Sequence, residues 1–263
     1  MFGLFFKFLL ALIYGFLLWF FLDSAYWFLI TPKPNKCDSI KFKESSFFNK
    51  LFIQIPRQIG IDRANFDKNV FDASGLILFE GKQGFGKTIS MIRYASLLKA
   101  RFPEALVVSN TKTIFNDIDL YGWKPLTDTK NGKFGVIVLL DEISIWFNNR
   151  NYKNFPPEMI QVITQNRKNR RVILGTCQNL TMCDKAIRLQ TTCIVKAFTL
   201  CNCITINLWQ IPDFDSEGNI VKRRFKKITW FVQDDFLRSC YDTYSVIDTL
   251  STTGFMERSN NGD

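Results

Sequence analysis

Apolar residues are distributed very unevenly along this chain. Leu4 to Ile30 is apolar apart from Lys7, Gly15, Asp23 and Ser24. About 20 such residues, wound as a helix, cross the hydrocarbon core of a bilayer. Apolar side chains at roughly −0.3 to −0.6 kcal/mol each outweigh a central Asp at about +3 kcal/mol. Tyr14, Trp19, Tyr26 and Trp27 suit the headgroup layer. A cleaved signal peptide is the alternative, but its apolar core is shorter and closes on small residues. Here the run resumes after Asp23 as Tyr26-Trp27-Phe28-Leu29-Ile30. The pattern predicts a retained single-pass anchor over residues 1–31. Lys33, Lys36, Lys41, Lys43 and Lys50 follow it and only Lys7 precedes its centre, so the positive-inside rule places the rest of the chain in the cytoplasm. Pro32 and Pro34 end the helix. Residues 32–74 read as a basic, partly helical connector, with Phe47, Phe48, Leu51 and Phe52 at the lipid surface.

Beyond residue 74 the apolar runs are short. Leu76 to Glu80, Ala105 to Val108, Phe134 to Leu140 and Arg171 to Gln178 are β-formers in near-continuous rather than alternating sequence, as in strands buried on both faces. Helical stretches, Ile89 to Lys99 and Pro156 to Asn169, lie between them, with proline well placed in a first helical turn. This alternation predicts an α/β fold with a doubly wound, mostly parallel sheet. Cys193 to Phe198, Cys203 to Trp209 and Ile228 to Val232, with a turn over Asp213 to Asn219, predict an antiparallel β extension on the sheet edge, about residues 192–233. The domain then covers 75–250, and 251–263 is a polar tail.

Composition narrows the chemistry. The chain has 263 residues, enough for a full core. With 34 Lys and Arg against 24 Asp and Glu, its formal net charge is +10, which favours polyanionic partners, nucleic acid or anionic lipid. It contains no His, which excludes His-dependent nucleophile triads, HExxH zinc sites and imidazole relays. Seven irregularly spaced Cys without a CxxC read as reduced thiols rather than a disulfide or zinc framework.

Immediately after the first short strand comes Gly81-Lys82-Gln83-Gly84-Phe85-Gly86-Lys87-Thr88, opening a helix. This is GxxxxGK[ST] between a strand and a helix. Its glycines let successive backbone N–H groups turn toward phosphate oxygens, and the helix N-terminus adds its dipole. Lys87 supplies a point charge for the β- and γ-phosphates, and the Thr88 hydroxyl a ligand for Mg²⁺. ATP and Mg²⁺ are the cofactors this motif requires. Such a loop predicts a second apolar strand ending in an acid, and Phe134 to Leu140 runs into Asp141-Glu142. Asp141 is the candidate metal ligand, and Glu142 the candidate base that orients and deprotonates an attacking water. Gln178, at the end of the next strand, reads either as a γ-phosphate sensor or as a strand-end amide in a turn.

Two basic clusters stay open. Arg167-Lys168-Asn169-Arg170-Arg171 reads as a solvated helix end, as the source of an arginine acting on a neighbour's γ-phosphate (Arg167 or Arg170), or as a DNA-phosphate contact. Lys222-Arg223-Arg224-Phe225-Lys226-Lys227 reads as a solvated turn or edge-strand guard, or as a contact for DNA or anionic lipid.

Together GKQGFGKT, VIVLLDE and NRKNRRVILGTCQN, behind an N-terminal apolar segment, resemble the FtsK/HerA superfamily of DNA-pumping ATPases over about Gly75 to Ile247. Among these the chain is most similar to viral genome-packaging ATPases and Zot-like assembly ATPases of filamentous phages. The membrane helix precedes the ATPase domain here, whereas in Zot-like proteins it usually follows. The resemblance implies a P-loop NTPase fold and a homo-oligomeric ring, usually hexameric. It also implies ATP hydrolysis coupled to DNA translocation in packaging or virion assembly, at the host inner membrane or a virion membrane. It would assign Lys87 and Thr88 to nucleotide and metal, Asp141 and Glu142 to metal and water, Gln178 to sensing, and Arg167 or Arg170 to an intersubunit contact. The rival expectations are an assembly or secretion ATPase acting on protein or lipid, a conjugative or chromosomal DNA translocase, and a nucleotide-gated scaffold.

Overall fold

A computed structural model describes residues 2–30, 44–67, 69–120, 124–146 and 163–241. The chain divides into two compact units, Met1–Lys68 and Asn69–Asp263.

In the first unit, α1 (Phe2–Ile30) is followed by α2 (Phe47–Asn49), a π-helical turn (Lys50–Gln54) and α3 (Ile55–Ala64). The span Phe6–Ile30 is long and apolar enough to cross a membrane. Residues 47–64 fold back along α1 rather than trailing from it. Gly60 makes the close approach possible, because a Cβ there would lie 2.8 Å from Trp27 Cβ. Trp19 Nε1 donates to the Phe52 carbonyl at 3.4 Å, Phe16 meets Phe52 edge-on, and the Arg57 guanidinium lies 4.5 Å over the Trp27 ring. The sequence reading of a connector missed this helical hairpin. Its pairing depends on Gly60 and Phe52 finding partners in a distant stretch. Pro32 to Pro34 lies outside the described residues.

The second unit is built on one eight-stranded sheet: β1 (Gly75–Glu80), β2 (Leu106–Ser109), β3 (Ile118–Asp119), β4 (Val136–Leu140), β5 (Arg171–Cys177), β6 (Thr191–Leu200), β7 (Ile204–Phe214) and β8 (Ile220–Val232). Their order is β3-β2-β4-β5-β1-β6-β7-β8. The six strands from β3 to β6 are mutually parallel; β7 and β8 are antiparallel to their neighbours. This is the predicted α/β class. β4 and β5 are buried at every residue, because helices and loops cover both faces. Leu76 and Leu78 enter one core cluster while Ile77 and Phe79 enter the other, the alternation of a pleated strand. On the second face lies α4 (Lys87–Arg101), through Met91, Ala95 and Leu98. Short helices α5 (Lys124–Asp128), α6 (Ile143–Trp146), α7 (Lys185–Gln190) and α8 (Asp235–Ser239), with a 3₁₀ turn (Leu180–Met182), complete the described elements.

Three details differ from the sequence reading. Thr191–Leu200 pairs parallel with β1, so only β7 and β8 form the antiparallel addition. β8 begins at Ile220 rather than near Ile228, which makes Lys222 to Lys227 part of an edge strand, one of the readings given for that cluster, and not a turn. The segment 165–170 is a succession of turns, ending at Arg170 with φ 47°. Most of the helix expected from Pro156 lies outside the described residues.

Candidate nucleotide site

The carboxyl ends of β1, β4 and β5 converge on one edge of the sheet, where ligands of open α/β folds collect. β1 ends at Glu80 and the chain turns through Gly81 to Gly86 into α4. Gly84 (φ 79°) and Gly86 (φ 81°) take left-handed conformations that favour glycine. At Gly86 space also matters: a Cβ would lie 2.6 Å from Thr199 Oγ1. Thr199 and Thr205 share a hydrogen bond of 3.2 Å, and Gln233 Nε2 donates to Thr205 Oγ1 at 2.7 Å. One turn into α4, Ser90 Oγ donates to Asn207 Oδ1 at 2.9 Å. The loop is therefore seated on the β6–β7 hairpin. Lys82, Gln83, Gly84 and Phe85 are exposed at its crest. Lys87 is buried, and its ammonium donates to the Lys82 carbonyl at 3.2 Å.

Asp141 stands beyond the end of β4. β4 is not adjacent to β1; β5 lies between them. Thr88 Oγ1 nevertheless donates to Asp141 Oδ1 at 3.0 Å. The bridge is Thr176 of β5, whose hydroxyl donates to the same Oδ1 at 2.6 Å and accepts the Glu142 N–H at 2.8 Å. From the other side Asn110 Nδ2 donates to the Asp141 carbonyl at 2.9 Å, and the Asp141 N–H donates to Asn110 Oδ1 at 2.7 Å. Glu142 itself has φ 52°, an uncommon backbone for a residue with a Cβ. Burial pushes its carboxyl above the ordinary range, opposed by a hydrogen bond from Ser144 and by the charge of Lys87. A carboxyl raised in this way is a better proton acceptor near neutral pH.

Lys87, Thr88, Asp141 and Glu142 thus come together with the glycine loop. Gln178 is exposed just past Cys177, which pairs with Glu80, so it lies on the same edge. Arg167 and Arg170 do not join them. They precede β5 at its amino end, about 20 Å away along the strand at ~3.3 Å per residue. Arg170 Nη1 donates to the Phe71 carbonyl at 3.3 Å. Arg171 is 1% exposed and donates to the Thr129 carbonyl at 2.7 Å, so it cannot belong to a DNA-facing cluster. The second basic cluster is also largely engaged. Arg223 pairs bidentately with Glu80 (2.6 and 3.3 Å), Arg224 pairs with Asp213 at 2.8 Å, and Lys227 lies 4.7 Å over the Trp209 ring. Arg167, Lys168, Lys222 and Lys226 are exposed.

Sequence reasoning missed Thr176, Asn110 and Ser144, and took Arg223 only as one member of a basic cluster and not as the partner of Glu80. Only Thr176 carried a signal, as the Thr of the quoted Thr-Cys-Gln strand end.

A glycine loop between β1 and a helix, with an acid two strands away at the same sheet edge, defines a P-loop NTPase fold. No protein-family model and no curated protein matches the chain. Among solved structures it is similar to the N-terminal domain of zonular occludens toxin from Neisseria meningitidis, at 17% identity over 65% of this chain and 100% of that one, TM-score 0.46. It is similar also to the genome packaging NTPase from Sulfolobus turreted icosahedral virus 2 in complex with ATP-gammaS, at 12% identity over 48% and 75% of the two chains, TM-score 0.40. A third is the flagellar accessory protein FlaH from Methanocaldococcus jannaschii, at 16% identity over 64% and 100%, TM-score 0.37.

Proposed function

We propose that this protein is a membrane-anchored, ATP-hydrolysing motor that moves DNA, in packaging or virion assembly. The observation that carries the hydrolytic part is the Thr88–Asp141 contact with Glu142 fixed beside it by Thr176. A kinase-like or merely nucleotide-binding site does not need a second, base-like carboxylate at that position. Glycine-loop amides and Lys87 bind the β- and γ-phosphates. Thr88 Oγ1 and Asp141 Oδ1, hard oxygen donors 3.0 Å apart, would hold Mg²⁺, which would neutralise charge on the phosphates. Glu142 accepts the proton of the attacking water, and Lys87 stabilises the charge that develops. Gln178, on the same edge, senses the γ-phosphate. An arginine of a neighbouring subunit, Arg167 or Arg170, completes the site in a ring. DNA is met by the exposed Arg167 and Lys168, with Lys222 and Lys226 contributing. α1 holds the assembly in the bilayer with the ATPase domain on the cytoplasmic side.

The test is ATP turnover by the full chain in lipid nanodiscs, with and without DNA. We expect turnover that DNA accelerates and that Glu142→Gln abolishes while ATP stays bound. Turnover that no DNA changes refutes the translocation reading. The engagement of Arg223, Arg224 and Lys227 within the chain favours one rival, an assembly ATPase acting on protein. In that case a protein partner, and not DNA, changes the rate.

A further inference from the structure

Glu80 is the last residue of β1, directly before the glycine loop, and its side chain is 10% exposed. A carboxylate buried this far needs a partner, the more so at the root of a loop that binds polyanions. Its cation comes from 143 positions along the chain. Arg223 Nη1 donates to Oε2 at 2.6 Å and Nη2 to Oε1 at 3.3 Å. The same Oε1 accepts the Leu180 N–H at 3.2 Å, in the turn that follows Gln178. The Gly81 N–H donates to the Cys177 carbonyl at 3.4 Å. The loops after β1 and β5 are therefore joined at their roots, with Glu80 between them.

Arg223 belongs to β8, and β6 and β7 lie between that strand and β1. It reaches Glu80 because the far part of the β7–β8 ribbon folds over the sheet. Past the register shift at Trp209 and Gln210, Phe214 and Ile220 pack on the core cluster that contains Leu76 and Leu78. A Cβ at Gly218 would lie 3.2 Å from Lys185 Cγ of α7, and Arg188 Nη1 donates to Asn219 Oδ1 at 3.4 Å. Lys196, the register neighbour of Glu80 on β6, is exposed, so water screens its charge. Among the described residues Arg223 is the cation paired with Glu80. This pair differs from Arg170 and Arg171, which meet neutral carbonyls. Here two opposite charges cancel, and removing either one changes the field at the loop in an opposite sense.

The loop amides begin within about three residues of Glu80, at most ~10 Å of chain. At that distance and an effective dielectric near 20, one unit charge changes the binding of another by roughly 10-fold. We propose that the Glu80–Arg223 pair sets the affinity of the phosphate loop. Arg223 cancels a carboxylate charge that would otherwise repel the β- and γ-phosphates, and it holds that carboxylate on the Leu180 N–H. Arg223 is thus a positioning residue that acts through Glu80. The inference rests on the nucleotide reading of this site and not on hydrolysis or DNA.

The experiment titrates the full chain in nanodiscs with a fluorescent ATP analogue and Mg²⁺, and follows thermal unfolding of each variant. Arg223→Met is expected to weaken binding roughly 10-fold. Glu80→Gln, whose amide oxygen still accepts the Leu180 N–H, is expected to bind at least as tightly as the wild type. The double variant is expected to return to within a few-fold of it. Arg224→Met removes a cation from the same strand, one whose partner Asp213 is 42% exposed, and is expected to leave the affinity unchanged. A clasp that only holds the chain together weakens binding in both single variants, and that result overturns the proposal. So does an unchanged affinity in Arg223→Met. If Arg223→Met does not fold, Glu80→Gln decides: binding weaker than wild type overturns the proposal, and binding as tight or tighter supports it. A wild-type chain that binds no ATP removes the nucleotide reading and this inference with it, whereas the other negative results leave that reading standing.

Discussion

The two edges of the parallel sheet are both rich in polar residues, yet they spend them differently. At the carboxyl edge, Thr88, Asn110, Asp141, Glu142 and Thr176 bond to one another around a glycine loop. At the amino edge, polar side chains close off backbone carbonyls. Arg170 bonds Phe71 O, Arg171 bonds Thr129 O, Lys99 bonds Ala105 O, and Asn131 bonds Glu104 O and Gly135 O. Arg170 and Arg171 of the first basic cluster are therefore part of a seam that closes off backbone, while Arg167 and Lys168 stay exposed. The sparser set is the one organised around the glycine loop. What a polar group bonds to separates a site from a clasp better than how many charges lie near it.

The sharpest way to break this contrast is at Glu142. Glu142→Gln is expected to lower turnover by about 10²–10⁴-fold, the usual worth of a positioned base, with ATP binding retained in a filter or fluorescence assay. A residual rate within a few-fold of wild type removes Glu142 from the chemistry. Arg167→Ala and Arg170→Ala come next and test the amino edge directly. An arginine reaching a neighbour's nucleotide is worth roughly 10³–10⁵ in rate, whereas a clasp costs only about 1 kcal/mol of stability. Measuring turnover and thermal unfolding of both variants assigns each residue to one side of the comparison. Thr176→Val is expected to lower kcat by roughly 10-fold, about 1.4 kcal/mol in the barrier. KM for ATP should change less, because the variant loosens Asp141 and Glu142 without touching the loop.

The smallest effect concerns pH. The Glu142 carboxyl is raised by burial, and a base works only when ionised. The acid limb of kcat should thus lie above the ordinary glutamate range, with activity lost as pH falls through the raised value. The sign for stability is opposite: a raised carboxyl pKa means the folded state holds its proton more tightly, so this group's contribution to stability declines as pH rises through that value. An acid limb at or below ordinary glutamate values contradicts the assignment.

Much of the carboxyl edge was readable in the sequence because its signals are local. Eight consecutive residues carry the glycine loop, and Asp141-Glu142 follows its strand directly. Thr176 and Asn110 were not readable. Their roles arise only once β5 lies between β1 and β4, which no short stretch encodes. Arg171 misled for the same reason. Its neighbours in sequence are charged, but its neighbours in space are a buried strand start and the Thr129 carbonyl. β8 was read short because Lys222 to Lys227 hides the β alternation beneath cations, and the helical hairpin of the first unit rests on pairings between α1 and residues far along the chain.

The placing of β5 has a mechanical result. The strands that carry the loop and the acid never touch; each is laced to the same middle strand, and Thr176 is the stitch at its tip. Neither half of the cleft can slide along its own axis without tearing hydrogen bonds in that shared partner. The spacing between Thr88 and Asp141 is consequently set when the chain folds, before any ligand is present.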